Sequence, residues 1–271
     1  MALNSSKNID HGNYIPTPVV PGMKVADGEH IRKVFVLSAA GGSIAVGEAA
    51  SAAAEPVVRQ NSPTIEASCR TEVPENIEVG ADAALDLTVI VLPGVSARIP
   101  LTIDLTGAHS EVRLSGIFLC SGHDNVTFDI TMHHRTGDCR SSQIFNGLAA
   151  EEAKCGFFGK IVIAPDAQRT EAFQENHNIL LSDSARINTK PRLEIYADDV
   201  KCSHGATVGK LNEDEQFYMR SRGIPEDEAK VLQMISFVAP VLENIPEESS
   251  DGLPSRAAVA EQVENAIRSL A

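Results

Sequence analysis

From Ile31 to about residue 211 the chain is a succession of short apolar runs, many of them alternating, with no helical period between them. "IRKVFVLSA", "TIEASCR", "LDLTVIVL", "ARIPLTIDLT", "SEVRLSGIFL", "NVTFDITMHH", "SSQIFNGLA", "GFFGKIVIA" and "RLEIYADDVKC" each have the length of a strand, and most are followed by Gly, Asp, Asn or Pro. In mid-chain they recur at roughly 12 to 16 residues, a spacing that suits strands joined by tight turns. Strands in such numbers without intervening helices fold as a sandwich, a barrel or a β-solenoid. A glycine beside apolar residues in "LSGIFL", "FNGLA" and "FFGKIVI" is a loose repeat that favours the solenoid, with small residues expected to let its corners turn sharply. Pattern alone leaves solenoid and sandwich both open.

The chain is 271 residues long and 43% apolar, enough for a sizeable core in one large domain or two ordinary ones. Aromatic residues are only 4%, with no tryptophan, so that core is built of Val, Ile, Leu and Ala. With 37 acidic and 23 basic residues the net charge is −14, and no basic patch stands out along the sequence. Nucleic acid and anionic membrane surfaces are therefore not expected partners. Apolar runs such as Val89 to Leu92 fall far short of a membrane span, and "MALNSSKNIDHGNY" lacks the pattern of a secretory signal, so a cytoplasmic location is expected.

Five cysteines, Cys69, Cys120, Cys139, Cys155 and Cys202, are scattered without a CxxC pair, which reads as free thiols and not as a disulfide framework or structural zinc site. Cys120, Cys139 and Cys155 lie near apolar runs and are expected to be buried. His133 and His134 are adjacent, point to opposite faces of a strand, cannot chelate together, and are expected at the surface or in a turn. Asp198 and Asp199 invite the alternative of a carbohydrate-active β-helix enzyme, a lyase or hydrolase, but neighbouring carboxylates on opposite strand faces make a poor acid–base pair. No GxxxxGK[ST] loop is present, so nucleotide binding is not expected of this chain itself. No catalytic residue is assigned.

Residues 1–30, with "PTPVVPG", read as an extended lead-in, and 31–211 as the β-rich core. Residues 212–271 change character. Asn212 and Glu215 have capping-box spacing, which predicts a helix from about Glu213 to Arg222 closed by Gly223. Pro225 suits a second start, with Ala229, Leu232, Ile235 and Ala239 on one face, and Pro240 is expected to end or bend that helix. Val259, Val263, Ala266 and Leu270 mark a third. Acidic Glu213, Asp214 and Glu215 suit the positive end of the first helix dipole.

In "DDVKCSHGATVG", Cys202 and His204 fall one residue apart, and on a strand they share a face. Thiolate and imidazole both bind iron, although two such residues on a strand are also what ordinary side chains look like. From Ala108 onward the wording is more specific. "LSGIFL", "FFGKIVIAPDAQRTEAFQENHNILLS", "KPRLEIYADDVKCSHGATVG" and "FYMRSRGI" resemble the SufB/SufD family, the scaffold proteins of Suf iron–sulfur cluster assembly, over roughly residues 108–245. The resemblance implies a right-handed parallel β-helix followed by a helical C-terminal segment. It also implies a hetero- or homodimer, with a SufB-type scaffold or with a second copy, a SufC-type ABC ATPase docked on residues 212–271, and apoprotein acceptors. On that resemblance Cys202 and His204 are the interface residues that hold a transient iron–sulfur cluster, completed by ligands from another chain, and no cofactor is needed for folding. A homodimeric interaction platform without cluster chemistry is a further alternative.

Within the family the chain looks like the D type, because "CSHGAT" lacks the glutamate that B-type members carry beside the histidine. Asn176-His177-Asn178 stands where a B-type scaffold has a cluster-building cysteine. Gln143 in place of a lysine, Pro240, and the absence of a long N-terminal helical region are departures from the family pattern.

Overall fold

The computed structural model describes residues 22–39, 73–248 and 253–271. The run "TIEASCR" with Cys69, and the first 21 residues of the lead-in, lie outside the described residues. Twelve strands come first among those described: β1 (Met23–Val25), β2 (His30–Leu37), β3 (Asn76–Val79), β4 (Ala84–Val91), β5 (Ala97–Leu105), β6 (Glu111–Cys120), β7 (Asn125–His134), β8 (Arg140–Ala149), β9 (Lys154–Ile163), β10 (Thr170–Leu180), β11 (Arg186–Ile195) and β12 (Val200–Gly209). Three helices follow: α1 (Glu213–Ser221), α2 (Glu226–Leu242) and α3 (Arg256–Arg268).

Odd-numbered strands form one six-stranded sheet and even-numbered strands another, and the pairing is parallel throughout. Glu111 faces Arg140, which faces Glu171, so each turn of the coil takes about 30 residues and gives one strand to each sheet. This is a parallel β-helix. The half-turn accounts for the spacing of apolar runs in the sequence. β1 falls within the expected lead-in and pairs with β3.

Between the sheets lies a core of stacked side chains. Phe118, Phe128, Phe145 and Phe157 form a column whose successive ring centroids are 5.8, 5.1 and 4.8 Å apart. The repeated glycines serve this column and not the corners. A Cβ on Gly116 would lie 2.2 Å from Phe145, and one on Gly147 would lie 2.1 Å from Phe118, so each glycine makes room mid-strand for a ring from the neighbouring turn. Corners use the left-handed backbone region instead, mostly without glycine: Asp82, His109, Asp138 and Arg169 recur at one corner of successive turns, and Glu151 follows Gly94 and Gly122 at another. Arg169 clamps Asp138 of the turn below through two hydrogen bonds.

His134 corrects the surface expectation. It is fully buried, Nε2 lies 2.8 Å from Ser141 Oγ on the opposite sheet, and burial, with a smaller push from His133, lowers its pKa to about 4. It occupies an inward position at the end of β7, between Leu105 and Ile163 in the ladder.

Among the described residues, helices cover part of the outer face of the even sheet and none of the odd sheet's. Val34, Val36, Ile90, Ile117, Leu119 and Leu148 pack there against Val231, Met234 and Val238 of α2 and Val259, Val263 and Ile267 of α3. The end of β4, residues 89–91, enclosed from both sides, therefore reads as an uninterrupted apolar run, whereas Asp86 and Thr88 occupy outward positions nearer its start. Asn146 donates to the Phe237 carbonyl at 2.6 Å and Asn244 to Ser115 Oγ at 2.9 Å, tying α2 and its end to the strands.

α1 starts as the capping box implies. Asn212 Oδ1 accepts from the Asp214 and Glu215 backbones, its amide reaches Glu215 Oε1 at 3.1 Å, and Gly223 in the left-handed region follows the helix. The buried stripe of α2 differs from the expected one: Ala229 is buried, but Val231, Met234, Val238, Val241 and Leu242 make the contact, and Leu232 is exposed. α2 is apolar on more than one side, and the sheet takes only one of them. Nor does α2 stop at Ala239. It continues to Leu242, because a proline so near the C-terminus removes one helical bond while burial of Val241, Leu242 and Ile245 holds the last turn.

Candidate functional site

β12 is the last rung of the even sheet and pairs in it only with β10, leaving its other edge open among the described residues. Cys202 stands opposite Ala172 and His204 opposite Gln174. Both partners on β10 are fully buried, so that ladder faces inward, and alternation puts Cys202 and His204 on the same side of the terminal rung. Cys202 is half-buried against the core, whereas His204 is exposed. Burial pushes the Cys202 thiol above its ordinary value, opposed by a backbone hydrogen bond at Ala172. It is therefore protonated near neutral pH, and a metal that binds it must displace the proton. Among the described residues no three His, Cys, Asp or Glu side chains gather into a set able to hold a metal.

Behind this rung the interior turns polar. Gln143, Gln174, Asn176 and Asn178 are buried on β8 and β10. Gln174 donates to Gln143 Oε1 at 3.0 Å, Asn176 to the Phe145 carbonyl at 3.1 Å, and Asn178 to the Thr207 carbonyl of β12 at 3.0 Å. Gln174 Oε1, Gln143 Nε2 and Thr189 Oγ1 are buried without a partner. Strand parity carried the signal for Gln174, which occupies the same inward register as Ala172, Asn176 and Asn178 in "EAFQENHNIL".

The other candidates are dispersed. Asp198 and Asp199 are exposed and lie in the bend before β12, not on a strand. Cys120, Cys139 and Cys155 are buried free thiols, as expected. Contact with Cys155, then burial, raises the Cys120 thiol well above its ordinary value, which makes it inert.

A second exposed feature adjoins the open rung. α1 buries none of its residues and presents Phe217 and Tyr218 to solvent. Ile179, Leu211, Tyr218, Met219, Leu232 and Phe237 line a cleft of about 690 Å³ between α1, α2 and the end of β10. No helix among the described residues is long and apolar enough to cross a membrane.

A family profile described as "SUF system FeS cluster assembly, SufBD core domain" matches residues 42–237, from before β3 to the middle of α2. The chain belongs to the SufB/SufD family. Among its curated relatives, the iron–sulfur cluster assembly protein SufD of Escherichia coli K12 is 34% identical over 158 residues, which is 58% of this chain and 37% of that protein. An iron–sulfur cluster assembly SufBD family protein of Synechocystis sp. PCC 6803 is 44% identical over 123 residues, covering 45% of this chain and 27% of its own length. Protein ABCI7, chloroplastic, of Arabidopsis thaliana is 31% identical over 169 residues, 61% of this chain and 35% of its own. The matched region thus spans well under half of each of these SufB/SufD relatives.

Proposed function

We propose that the chain is a scaffold subunit of Suf iron–sulfur cluster assembly, non-catalytic itself, that supports a nascent cluster at a dimer interface and docks a SufC-type ABC ATPase. The observation that carries this reading is the open terminal rung with Cys202 and His204 side by side. One chain offers a cluster two protein ligands there, so the remainder must come from a second chain laid against the same edge, either a SufB-type scaffold or another copy. A cluster held by shared ligands is released when the chains shift, which suits cargo in transit to acceptor apoproteins better than a resident cofactor. The ATPase is assigned to the helical segment, where Phe217, Tyr218 and the cleft beside them supply an apolar anchor with polar surroundings.

Anaerobic incubation with ferrous iron and sulfide, with and without a SufB-type scaffold, tests the first part. Visible absorbance that rises with the paired complex and scales with its concentration is expected. Protein that remains colourless in both preparations overturns the reading. For the ATPase, Phe217→Ala with Tyr218→Ala is expected to weaken co-purification at least tenfold, and undiminished binding rejects that docking site.

A further inference from the structure

We infer that the outer face of β9 and β11, uncovered among the described residues, is a docking strip for an extended acidic protein segment. Lys154, Phe158 and Lys160 on β9, and Arg186, Lys190 and Arg192 on β11, all occupy outward positions of the odd sheet. The register sets Lys154 against Arg186 and Lys160 against Arg192, two cationic pairs on adjacent strands. Like charges directly opposite one another weaken a strand pair, so carboxylates would be expected among them. The two strands together carry one, Glu194, at the far end. Among the described residues none of the five cations forms an ion pair: Arg186 donates only to the backbone carbonyls of Asp183 and Ala185, and Lys190 lies over the Phe158 ring, 5.6 Å from its centroid. In a chain of net charge −14 this is a local reversal of sign. Such a strip attracts an anionic partner while the rest of the surface repels it.

Shape and chemistry select a peptide. From Lys154 to Lys160 the strip runs about 20 Å at roughly 3.3 Å per residue, and it is two strands wide. An extended peptide with carboxylates at alternate residues repeats at about 6.6 Å, the separation of Lys190 and Arg192 along β11. Single-stranded nucleic acid needs a series of free aromatic faces for its bases, whereas the one ring at an outward position of β9 and β11, Phe158, is covered by Lys190 and the exposed Tyr196 stands alone beyond the end of β11. The inference does not depend on the cluster or on the ATPase.

Fluorescence anisotropy with a labelled peptide of four Glu-Ser repeats, titrated with the full chain, tests it. Saturable binding that weakens as salt rises is expected. K160E/K190E/R192E should lower the affinity at least tenfold, and the milder K190Q/R192Q should lower it severalfold, each with an unchanged circular dichroism spectrum. R220E, on α1, should bind like the parent. An absence of binding by the parent, equal binding by both strip variants, or preferential binding of an eight-nucleotide single-stranded DNA overturns the inference.

Discussion

The two sheets of this β-helix share one interior and differ on the outside. Within the even sheet the later halves of β2, β4, β6 and β8 carry Val, Ile and Leu outward and are roofed by α2 and α3, whereas the odd sheet carries Lys, Arg, Thr and Asp outward and has no such cover among the described residues. The helical segment is therefore part of the folded body. It shares a core with the strands, even though the sequence changes period abruptly at residue 212. A strand whose outer residues are apolar requires a cover, and a strand whose outer residues are charged leaves a surface free for other partners.

The largest effect is expected from removing the roof. Deletion of residues 212–271 exposes Ile90, Ile117, Leu119 and Leu148 together. The truncated chain should aggregate or lose its cooperative melting transition, as judged by size-exclusion chromatography and thermal unfolding. A monodisperse fragment melting like the parent would show the two segments to be independent.

Next in size is a test of the shared interior. His134 takes up its proton only near pH 4 in the folded chain, but near pH 6.5 when unfolded. Its folded pKa is depressed, so the associated stability is complete above pH 6.5 and is lost as pH falls towards 4, by about 3 kcal/mol in total. In His134→Gln, whose amide keeps a partner for Ser141 but does not titrate, this part of the acid sensitivity should disappear. Paired denaturant melts at pH 7 and pH 4.5 measure it. An identical loss in parent and variant would reject the assignment.

Gly116→Ala comes third. The new methyl group overlaps the Phe145 ring, and a cost of about 1–3 kcal/mol is expected. Part of it should be recovered by adding Phe145→Leu, and a double variant no more stable than Gly116→Ala would break the link between glycine and ring. The smallest effect belongs to the bare face: Asn188→Asp, exposed on β11, should change stability by no more than about 0.5 kcal/mol. A larger change would mean that this face is not simply solvated.

These contrasts explain what the sequence disclosed. Alternation and half-turn spacing announced the strands, and the one-residue spacing of Cys202 and His204 placed them on one strand face, whereas the position of that strand at the open end of the sheet was not legible. Which outer face is covered was less legible, because "VIVL" at the end of β4 is apolar on both sides for reasons that lie 140 residues away in α2. The cationic strip was hidden for a related reason. Its residues alternate with apolar ones along each strand, and its two halves lie about 30 residues apart, so no stretch of sequence looks basic. His134 carries no local mark of burial, since its neighbour His133 faces the other way and only the register puts it between Leu105 and Ile163. Gly116 and Gly147 were visible as a repeat, but their purpose depends on rings from adjacent turns. Pro240 does not end α2, because it sits close to a C-terminus held by packing.

On the proposed function, Cys202 and His204 serve a cluster and not the fold. Iron and sulfide content and melting temperature, measured on the same anaerobic preparations of the parent complex and of C202S/H204A, test it most directly. Cluster content is expected to fall to a small fraction of the parent's, with a melting temperature within a few degrees, since His204 is exposed and Cys202 is only half-buried at the edge of the core. Full cluster loading in the double variant, or a loss of cluster that merely follows unfolding, would contradict it.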